Sequence, residues 1–281
     1  MAFFCGISGH FAEFRRWLEQ AVHHAGDSES PELARCLSYL ALVSRDLGDL
    51  DSAHEHAKAS VDMWRQLDDD SRLGLALSTL AVIENDRGHP DVARALYEEA
   101  LDVARSGKDN VQLEECLAGF ASLETAEGNF ERSEALIDEA IAIAREHGDS
   151  TSVRAYEHDH ACTMWRMGRV EDAQRHMRDS IPGFLRDNEP RMLVVLAEDY
   201  AAVLAELGQH QRAVRLLGAA EAMRQRLGTP RPATQQADLV EPIAKTHAAL
   251  TDQEWQAAYR SGSDTTVEDA LTEAHAATLP G

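Results

Sequence analysis

The chain has 281 residues, 44% of them hydrophobic, and a formal net charge of −22 from 49 acidic and 27 basic side chains. This length and apolar content suffice for one sizeable folded unit. The acidic balance argues against direct binding to nucleic acid or to an anionic membrane, because both need a basic surface. No stretch approaches the roughly 18 apolar residues of a membrane span.

The first residues do not read as a secretory signal, because Met1 to Ile7 is too short for the apolar core of one and lacks a basic lead. The four cysteines, Cys5, Cys36, Cys116 and Cys162, form no Cys-x-x-Cys pair. Such cysteines are typical of free thiols in a reducing compartment. We therefore expect a cytoplasmic protein.

The N-terminal residues look like the end of one helix followed by a second helix that begins near Gly9. A helix pair that starts in mid-helix leaves an apolar end open, and Phe3, Phe4, Phe11 and Trp17 are the candidates to line it. Two interpretations follow. Either the chain is the C-terminal piece of a longer protein, or this end docks on another chain, with a homodimer as one form of that contact.

Five glycines then follow at a strict spacing of forty residues, each with an alanine seven residues before it and a small residue five residues after it. They are Gly48, Gly88, Gly128, Gly168 and Gly208. Apolar residues at helical spacing flank each glycine, so every unit is expected to hold two helices joined at a tight turn. A fixed period of this length predicts a repeat solenoid, with full units at about 31–67, 71–107, 111–147, 151–187 and 191–227.

The last fifty residues depart from the period. Gly228 to Pro232 breaks the helix, and a helix from about Ala233 to Leu250 follows. Thr251-x-x-Glu254 has the form of a capping box, and a last short helix opens at Thr266. We expect residues 229–281 to form a helical cap on a solenoid of residues 1–228, because terminal repeats must present a polar outer face.

The phase of large and small residues resembles that of the tetratricopeptide repeat family, in which a large residue precedes the alanine of the first helix. The matching pairs are Leu40-Ala41, Leu80-Ala81, Phe120-Ala121 and Tyr200-Ala201. His160-Ala161 departs from the pattern. A HEAT-type repeat also has a period near forty, but the glycine and the Ala-x-x-x-large spacing of the second helix favour the tetratricopeptide interpretation. The resemblance implies an all-α, right-handed α-solenoid of antiparallel helix pairs.

Both ends of the chain are also similar to the repeat arm of actinobacterial LuxR-type and related signal-transduction ATPase regulators. The similarity rests on Gly9-His10-Phe11-x-Glu13 at the start and on Leu216-Leu217-Gly218-Ala219 at the end. In that family an NTPase domain precedes the repeats and a helix-turn-helix domain lies at one end. This sequence contains neither a phosphate-binding loop nor a basic recognition helix. The resemblance therefore implies a regulatory arm without the NTPase domain and without the DNA-binding domain.

Binding residues are expected on the first helix of each repeat, which lines the concave groove of tetratricopeptide arrays. The fourth repeat is the richest, because four of its polar and aromatic side chains share one helical face, and Trp and Arg are enriched at binding hot spots. The predicted groove residues are Arg45, Asn85, His158, Cys162, Trp165, Arg166 and Glu198. The alternative is that Trp165 packs against the adjacent helix and the others are solvated.

Metal and catalytic sites are not expected. His158 and Cys162 are four residues apart and could share a metal ion, but His160 points elsewhere and no second pair has a strong spacing. We therefore predict no metal and no cofactor. No catalytic motif of recognised context appears, and acidic runs such as Asp68 to Asp70 stand before a helix, where they cap it. The sequence predicts that the protein is not an enzyme.

Together these features predict a non-catalytic protein-interaction scaffold. Its role would be the regulatory arm of a transcriptional or signalling system that binds a protein or peptide segment in the concave groove. The alternative is a domain that senses a small-molecule effector near Trp165. A pocket enclosed by Trp165, Arg166 and Glu198 would favour that alternative.

Overall fold

The computed structural model describes residues 11–26, 29–106, 110–231 and 233–276. Within these ranges the chain forms fourteen α-helices and no strand. None of the described helices is long and apolar enough to cross a membrane. Contacts divide the chain into two compact units, Met1–Tyr156 and Glu157–Gly281, here called unit 1 and unit 2.

Unit 1 holds three helix pairs preceded by one further described helix. Its helices are α1 (Phe11–Ala25), α2 (Pro31–Asp46), α3 (Leu50–Gln66), α4 (Asp70–Asp86), α5 (Pro90–Ser106), α6 (Asn110–Ala126) and α7 (Phe130–His147). The next helix, α8 (Ser150–Arg166), begins in unit 1 and ends in unit 2. Successive helices of unit 1 pack against each other, and α4 also packs against α2 and α6.

Unit 2 continues with the helices that follow α8. They are α9 (Val170–Asp187), α10 (Pro190–Glu206), α11 (His210–Leu227), α12 (Ala233–Ala249), α13 (Asp252–Ser263) and α14 (Val267–Ala276). The helix order follows the five predicted repeats, which correspond to α2/α3, α4/α5, α6/α7, α8/α9 and α10/α11. We call the first member of each pair helix A and the second helix B.

The turn glycines end every helix A in the same way. Gly88 has a φ of 83°, a left-handed conformation that costs a glycine little and strains other residues. Its N–H donates to the carbonyl of Asn85 at 2.9 Å, and the N–H of His89 donates to the carbonyl of Glu84 at 2.9 Å. The other four turn glycines make the same pair of bonds. This is the Schellman arrangement, and it fixes where helix B departs.

The alanines explain how the two helices of a pair approach each other. The five that precede the turn glycines by seven residues are each at most 2% exposed, and the small residues five positions after the glycines are fully buried. A larger side chain at either position would push the helix axes apart. Strict spacing of small residues therefore sets one geometry for every pair.

The C-terminal helices pack back onto the repeats of unit 2. α12 packs against α10, and α13 packs tightly against α11. Gly218 and Gly262 allow the second contact, because a Cβ on Gly218 would overlap the carbonyl of Tyr259 and a Cβ on Gly262 would overlap the carbonyl of Arg215. The predicted capping box is confirmed at the start of α13, where Thr251 and Glu254 bond reciprocally.

His275 on α14 supplies a hydrogen bond that a proline removes from α9. Pro182 has no N–H, so it cannot supply the helical hydrogen bond to the carbonyl of Arg178. Nδ1 of His275, on α14, donates to that carbonyl at 3.0 Å. In return, Nε of Arg178 donates to the carbonyl of His275 at 3.1 Å. A proline that weakens α9 thereby creates the attachment point of α14.

Candidate functional site

Three ligand-type side chains meet between α8 and α10 in unit 2. Nε2 of His158, a residue only 2% exposed, lies 2.9 Å from Oδ2 of Asp199. Sγ of Cys162 lies 3.7 Å from the same ring nitrogen and 3.6 Å from the same carboxylate oxygen. We call His158, Cys162 and Asp199 the His–Cys–Asp cluster. It brings together two predicted groove residues and one residue that sequence reasoning missed.

The repeat geometry explains why Asp199 is there. Helix A residues that are 41 positions apart face each other in successive repeats, as the bonds from Arg45 to Asp86 and from Gln112 to Ser71 also show. Asp199 follows His158 by the same 41 residues. This offset is the signal that would have found the third member of the cluster from the sequence.

The surroundings of the cluster are apolar and acidic. The edge of the His158 ring meets the Phe184 ring with 5.9 Å between centroids. Burial by itself lowers the pKa of His158, but the hydrogen bond and negative charge of Asp199 outweigh it, and the net shift is upward. Burial raises the pKa of neighbouring Asp159 to about 6. Asp199 therefore stabilises the protonated form of the His158 ring.

Cys162 is not an activated nucleophile. Burial, together with the negative charges of Asp199 and Asp159, raises the pKa of its thiol well above the ordinary value. A nucleophilic cysteine needs the opposite, an electropositive setting that stabilises the thiolate. With no cation bound, the thiol stays protonated at neutral pH. The arrangement of Cys162 and His158 thus does not resemble a cysteine-protease pair, in which the histidine serves as the base for the thiol.

Trp165 and Arg166 lie at the end of α8. Trp165 is partly buried and packs against the apolar core of unit 2, which is the alternative that the sequence left open. The guanidinium of Arg166 forms an ion pair with Asp238 on α12, and both side chains keep about a third of their surface exposed (28% and 32%). We call Trp165, Arg166 and Asp238 the Trp165 surface. Asp238 belongs to a helix beyond the repeats, and no sequence signal pointed to it.

Glu198 lies in packing contacts rather than on an open groove. Its residue is 3% exposed, and its two carboxylate oxygens each accept a 2.7 Å bond from the guanidinium of Arg224. Arg231 adds a further bond of 2.7 Å to Oε1. Because two guanidinium groups already bind this carboxylate, Glu198 is not free to line the pocket with Trp165 and Arg166 that would have favoured the small-molecule alternative.

The other predicted site residues belong to unit 1. Arg45 pairs with Asp86 at 2.5 Å, and its side chain is 13% exposed. Asn85 is half-buried beside that pair. At the N-terminal end, Phe3, Phe4 and the side chain of Phe11 lie outside the described residues, while Trp17 on α1 is 38% exposed. The predicted N-terminal interface therefore stays a prediction.

Two family models match parts of the repeat region. Residues 32–106 match the model of the tetratricopeptide repeat. Over that segment the chain is similar to tetratricopeptide repeat proteins. Residues 117–167 match the model of anaphase-promoting complex subunit 5. The comparison with curated protein sequences gives no match.

Solved structures with the same fold include three informative cases. BtubC from P. vanneervenii has a TM-score of 0.53 and 19% identity over 83% of this chain and 94% of its own. A Rap protein complexed with competence and sporulation factor has a TM-score of 0.59 and 14% identity over 85% and 76%. A signal-transduction ATPase with a tetratricopeptide repeat sensor, from Pyrococcus horikoshii, has a TM-score of 0.54 and 16% identity over 86% of this chain and 38% of its own. At these identities the likeness concerns the fold.

Proposed function

We propose that the protein is a non-catalytic interaction scaffold that binds a protein or peptide segment, as the regulatory arm of a transcriptional or signalling system. The observation that carries the proposal is the run of five helix pairs in tetratricopeptide register, of which residues 32–106 match the family. Two proteins of similar fold support it: the Rap protein was crystallised with competence and sporulation factor, and the archaeal ATPase uses its repeats as a sensor.

The Trp165 surface is the proposed contact region in unit 2. Trp165 keeps part of its ring accessible, and Arg166 and Asp238 offer one charge of each sign beside it. A partly exposed tryptophan next to an arginine is the composition of an interface hot spot. Because Arg166 and Asp238 come from different helices, a bound segment would contact both α8 and α12.

Charge indicates what kind of segment would bind. The net charge of −22 attracts cationic partners and speeds their encounter. A basic side chain of the partner would compete with Arg166 for the carboxylate of Asp238. We therefore propose a segment that combines an apolar residue for Trp165 with lysine or arginine for Asp238.

The cytoplasm is the proposed location. Cys36, Cys116 and Cys162 are free thiols in the structure. Burial raises the pKa of the Cys116 thiol to about 11, which keeps it protonated and unreactive. Unpaired thiols of this kind persist in a reducing compartment.

The test uses a phage-displayed library of short random peptides selected on the full chain. Affinities of enriched peptides are then measured by fluorescence anisotropy for the wild type, Trp165→Ala and Asp238→Asn. We expect enrichment of basic peptides with an apolar anchor, and affinity losses of at least about tenfold for Trp165→Ala, because truncation of a hot-spot tryptophan removes most of the local binding energy.

The matched control is Glu139→Gln, which alters an exposed carboxylate on α7 and should leave affinity unchanged. Asp238→Asn removes a charge but keeps the shape of the side chain. It therefore still tests the contact region if Trp165→Ala perturbs folding. The proposal is overturned if selection enriches no peptide, or if the enriched peptides bind both variants as tightly as the wild type.

A further inference from the structure

We propose that the His–Cys–Asp cluster of unit 2 is a binding site for a divalent transition-metal ion, with zinc as the first candidate. The donor atoms are Nε2 of His158, Sγ of Cys162 and Oδ2 of Asp199, and they lie within 4.8 Å of one another. The inference reverses the sequence-based prediction of no metal site, which rested on the direction of His160 and on the lack of a second pair with a strong spacing. It does not depend on partner binding.

The three distances fit one small ion. They are 2.9 Å from nitrogen to oxygen, 3.7 Å from sulfur to nitrogen and 3.6 Å from sulfur to oxygen. A point about 2.0 Å from all three atoms lies in their plane, and zinc bonds of about 2.0–2.1 Å to nitrogen, 2.0–2.2 Å to oxygen and 2.3 Å to sulfur place the ion just out of that plane. An ion in that position keeps a fourth coordination position for water or another ligand.

The donor set selects the class of metal. Thiolate and imidazole favour zinc and its neighbours in the transition series, whereas magnesium and calcium prefer oxygen donors alone. The carboxylate and the thiolate together balance the two positive charges of the ion. Binding replaces the S–H bond of Cys162 with a metal–sulfur bond, and it replaces the N–H bond that Nε2 of His158 directs at Asp199 with a metal–nitrogen bond. Both protons leave to solvent, and the imidazole ring keeps its proton on Nδ1.

The backbone holds the ligands in place before any ion arrives. His158 and Cys162 occupy one face of α8 at i and i+4, and the repeat offset delivers Asp199 from α10. The Asp199 side chain is 24% exposed, which gives an ion a route from solvent. A bound ion would link two successive helices A and so stabilise unit 2 against unfolding.

The experiment titrates the chelator-treated full chain with Co²⁺, which takes the place of zinc and reports its ligands by absorption. We expect one ion per chain, a thiolate-to-cobalt charge-transfer band in the near ultraviolet and the visible bands of four-coordinate cobalt. Added Zn²⁺ should bleach both. Zn²⁺ should also raise the midpoint of thermal unfolding followed by circular dichroism.

Three variants make the test specific. Cys162→Ser should lose the charge-transfer band and the thermal shift, and Asp199→Asn should weaken binding at least about tenfold, because it removes a negatively charged ligand. Cys36→Ser, which removes a free thiol on α2, should behave as the wild type. Far-ultraviolet circular dichroism of the metal-free proteins checks that each variant is folded.

Two results would overturn the proposal. One is the absence of a charge-transfer band from the wild type at millimolar Co²⁺. The other is a band of equal strength in folded Cys162→Ser and Asp199→Asn, since that would assign the ion to a different thiol.

Discussion

Four residues before the turn glycine, unit 1 buries a carboxylate in two successive repeats, Glu84 and Glu124, whereas unit 2 buries Met164 and Leu204 at that position. Unit 2 instead buries His158 and Glu198, six residues earlier, and Arg224 on α11. Glu84 and Glu124 thus lie near the end of helix A, whereas His158 and Glu198 lie near its middle. The buried alanines and the turn glycines are common to both units. The units therefore share the packing of their helix pairs and differ in where helix A carries buried polar residues.

The move changes what the charges can do. Glu84 accepts hydrogen bonds from His54, Arg87 and His89, which lie on helix B of the preceding repeat or at its own turn. Those partners enclose the carboxylate completely and serve the fold. In unit 2, the side chains of His158 and Asp199 come from neighbouring helices A and converge on one point with Cys162. Unit 1 thus uses Glu84 to fix a turn, whereas in unit 2 His158 belongs to the proposed metal site and Glu198 holds α11 through Arg224.

The largest effect is expected at Glu198 of unit 2, whose buried carboxylate binds two arginines. Glu198→Ala should destabilise the protein by about 3–5 kcal/mol, because it removes the buried carboxylate that the guanidinium groups of Arg224 and Arg231 both bind. Urea denaturation followed by circular dichroism measures the change. Glu139→Ala, which breaks an exposed pair with Arg105, should cost less than about 1 kcal/mol. Equal losses for the two variants would contradict the difference in burial.

The next effect tests the turn carboxylate of unit 1. Burial alone raises the pKa of Glu84, but hydrogen bonds from His89, Arg87 and His54 outweigh it, and the net shift is downward. Glu84→Gln should therefore cost about 1.5–3 kcal/mol at neutral pH. Since the folded-state pKa is depressed, the contribution is fully present above the ordinary value of 4.5 and is lost as pH falls through the folded-state pKa.

Urea denaturation of the wild type and Glu84→Gln at a series of pH values measures the gap between their free energies of unfolding. It should be constant near neutrality and close at acid pH. Glu127→Gln, an exposed position at the turn of the next repeat, should show no gap at any pH. A gap for Glu84→Gln that widened on acidification would contradict the assigned direction of the pKa shift.

A smaller effect compares two helix glycines. A Cβ on Gly218 of unit 2 would overlap the carbonyl of Tyr259, whereas a Cβ on Gly74 of unit 1 would make ordinary contacts, the nearest 3.4 Å from the carbonyl of Ala100. Gly218→Ala should cost about 1–3 kcal/mol by forcing α13 away from α11. Gly74→Ala should be neutral or stabilising by up to about 1 kcal/mol, because alanine favours a helix interior. Thermal unfolding distinguishes the two signs, and a gain for Gly218→Ala would refute the close packing.

The smallest effect concerns the attachment of α14 in unit 2. His275→Ala should cost about 1 kcal/mol, since the carbonyl of Arg178 then loses its donor. In a Pro182→Ala background the restored helical N–H supplies that donor, so the same change should cost less. A double-mutant cycle by urea denaturation gives the coupling, and strict additivity of the two changes would count against the proposed compensation.

The helix pairs and their turns can be predicted from the sequence, because they depend on residue type and on spacing along the chain. The forty-residue spacing of glycine and alanine predicts all five helix pairs, and Thr251 with Glu254 predicts the start of α13. The family phase places His158 and Cys162 on one helical face. These inferences need only residue type and helical periodicity.

The rest depends on contacts between repeats. Periodicity alone did not reveal that Asp199 completes the cluster, because the offset between facing residues is 41 and not the period itself. Glu198 occupies the same repeat position as His158, yet two arginines beyond its own helix bind it. Asp238 lies on α12, outside the repeat pattern. Side chains at equivalent positions thus differ in role according to what the next helices supply.

The most direct test of the contrast between the two units is a crystal structure of the zinc-soaked protein with anomalous data collected on both sides of the zinc absorption edge. The account predicts one anomalous peak per chain, about 2.0–2.3 Å from Nε2 of His158, Sγ of Cys162 and Oδ2 of Asp199, and none beside Glu84 or Glu124. A peak at either carboxylate of unit 1, or density at the cluster without an anomalous signal, would contradict it.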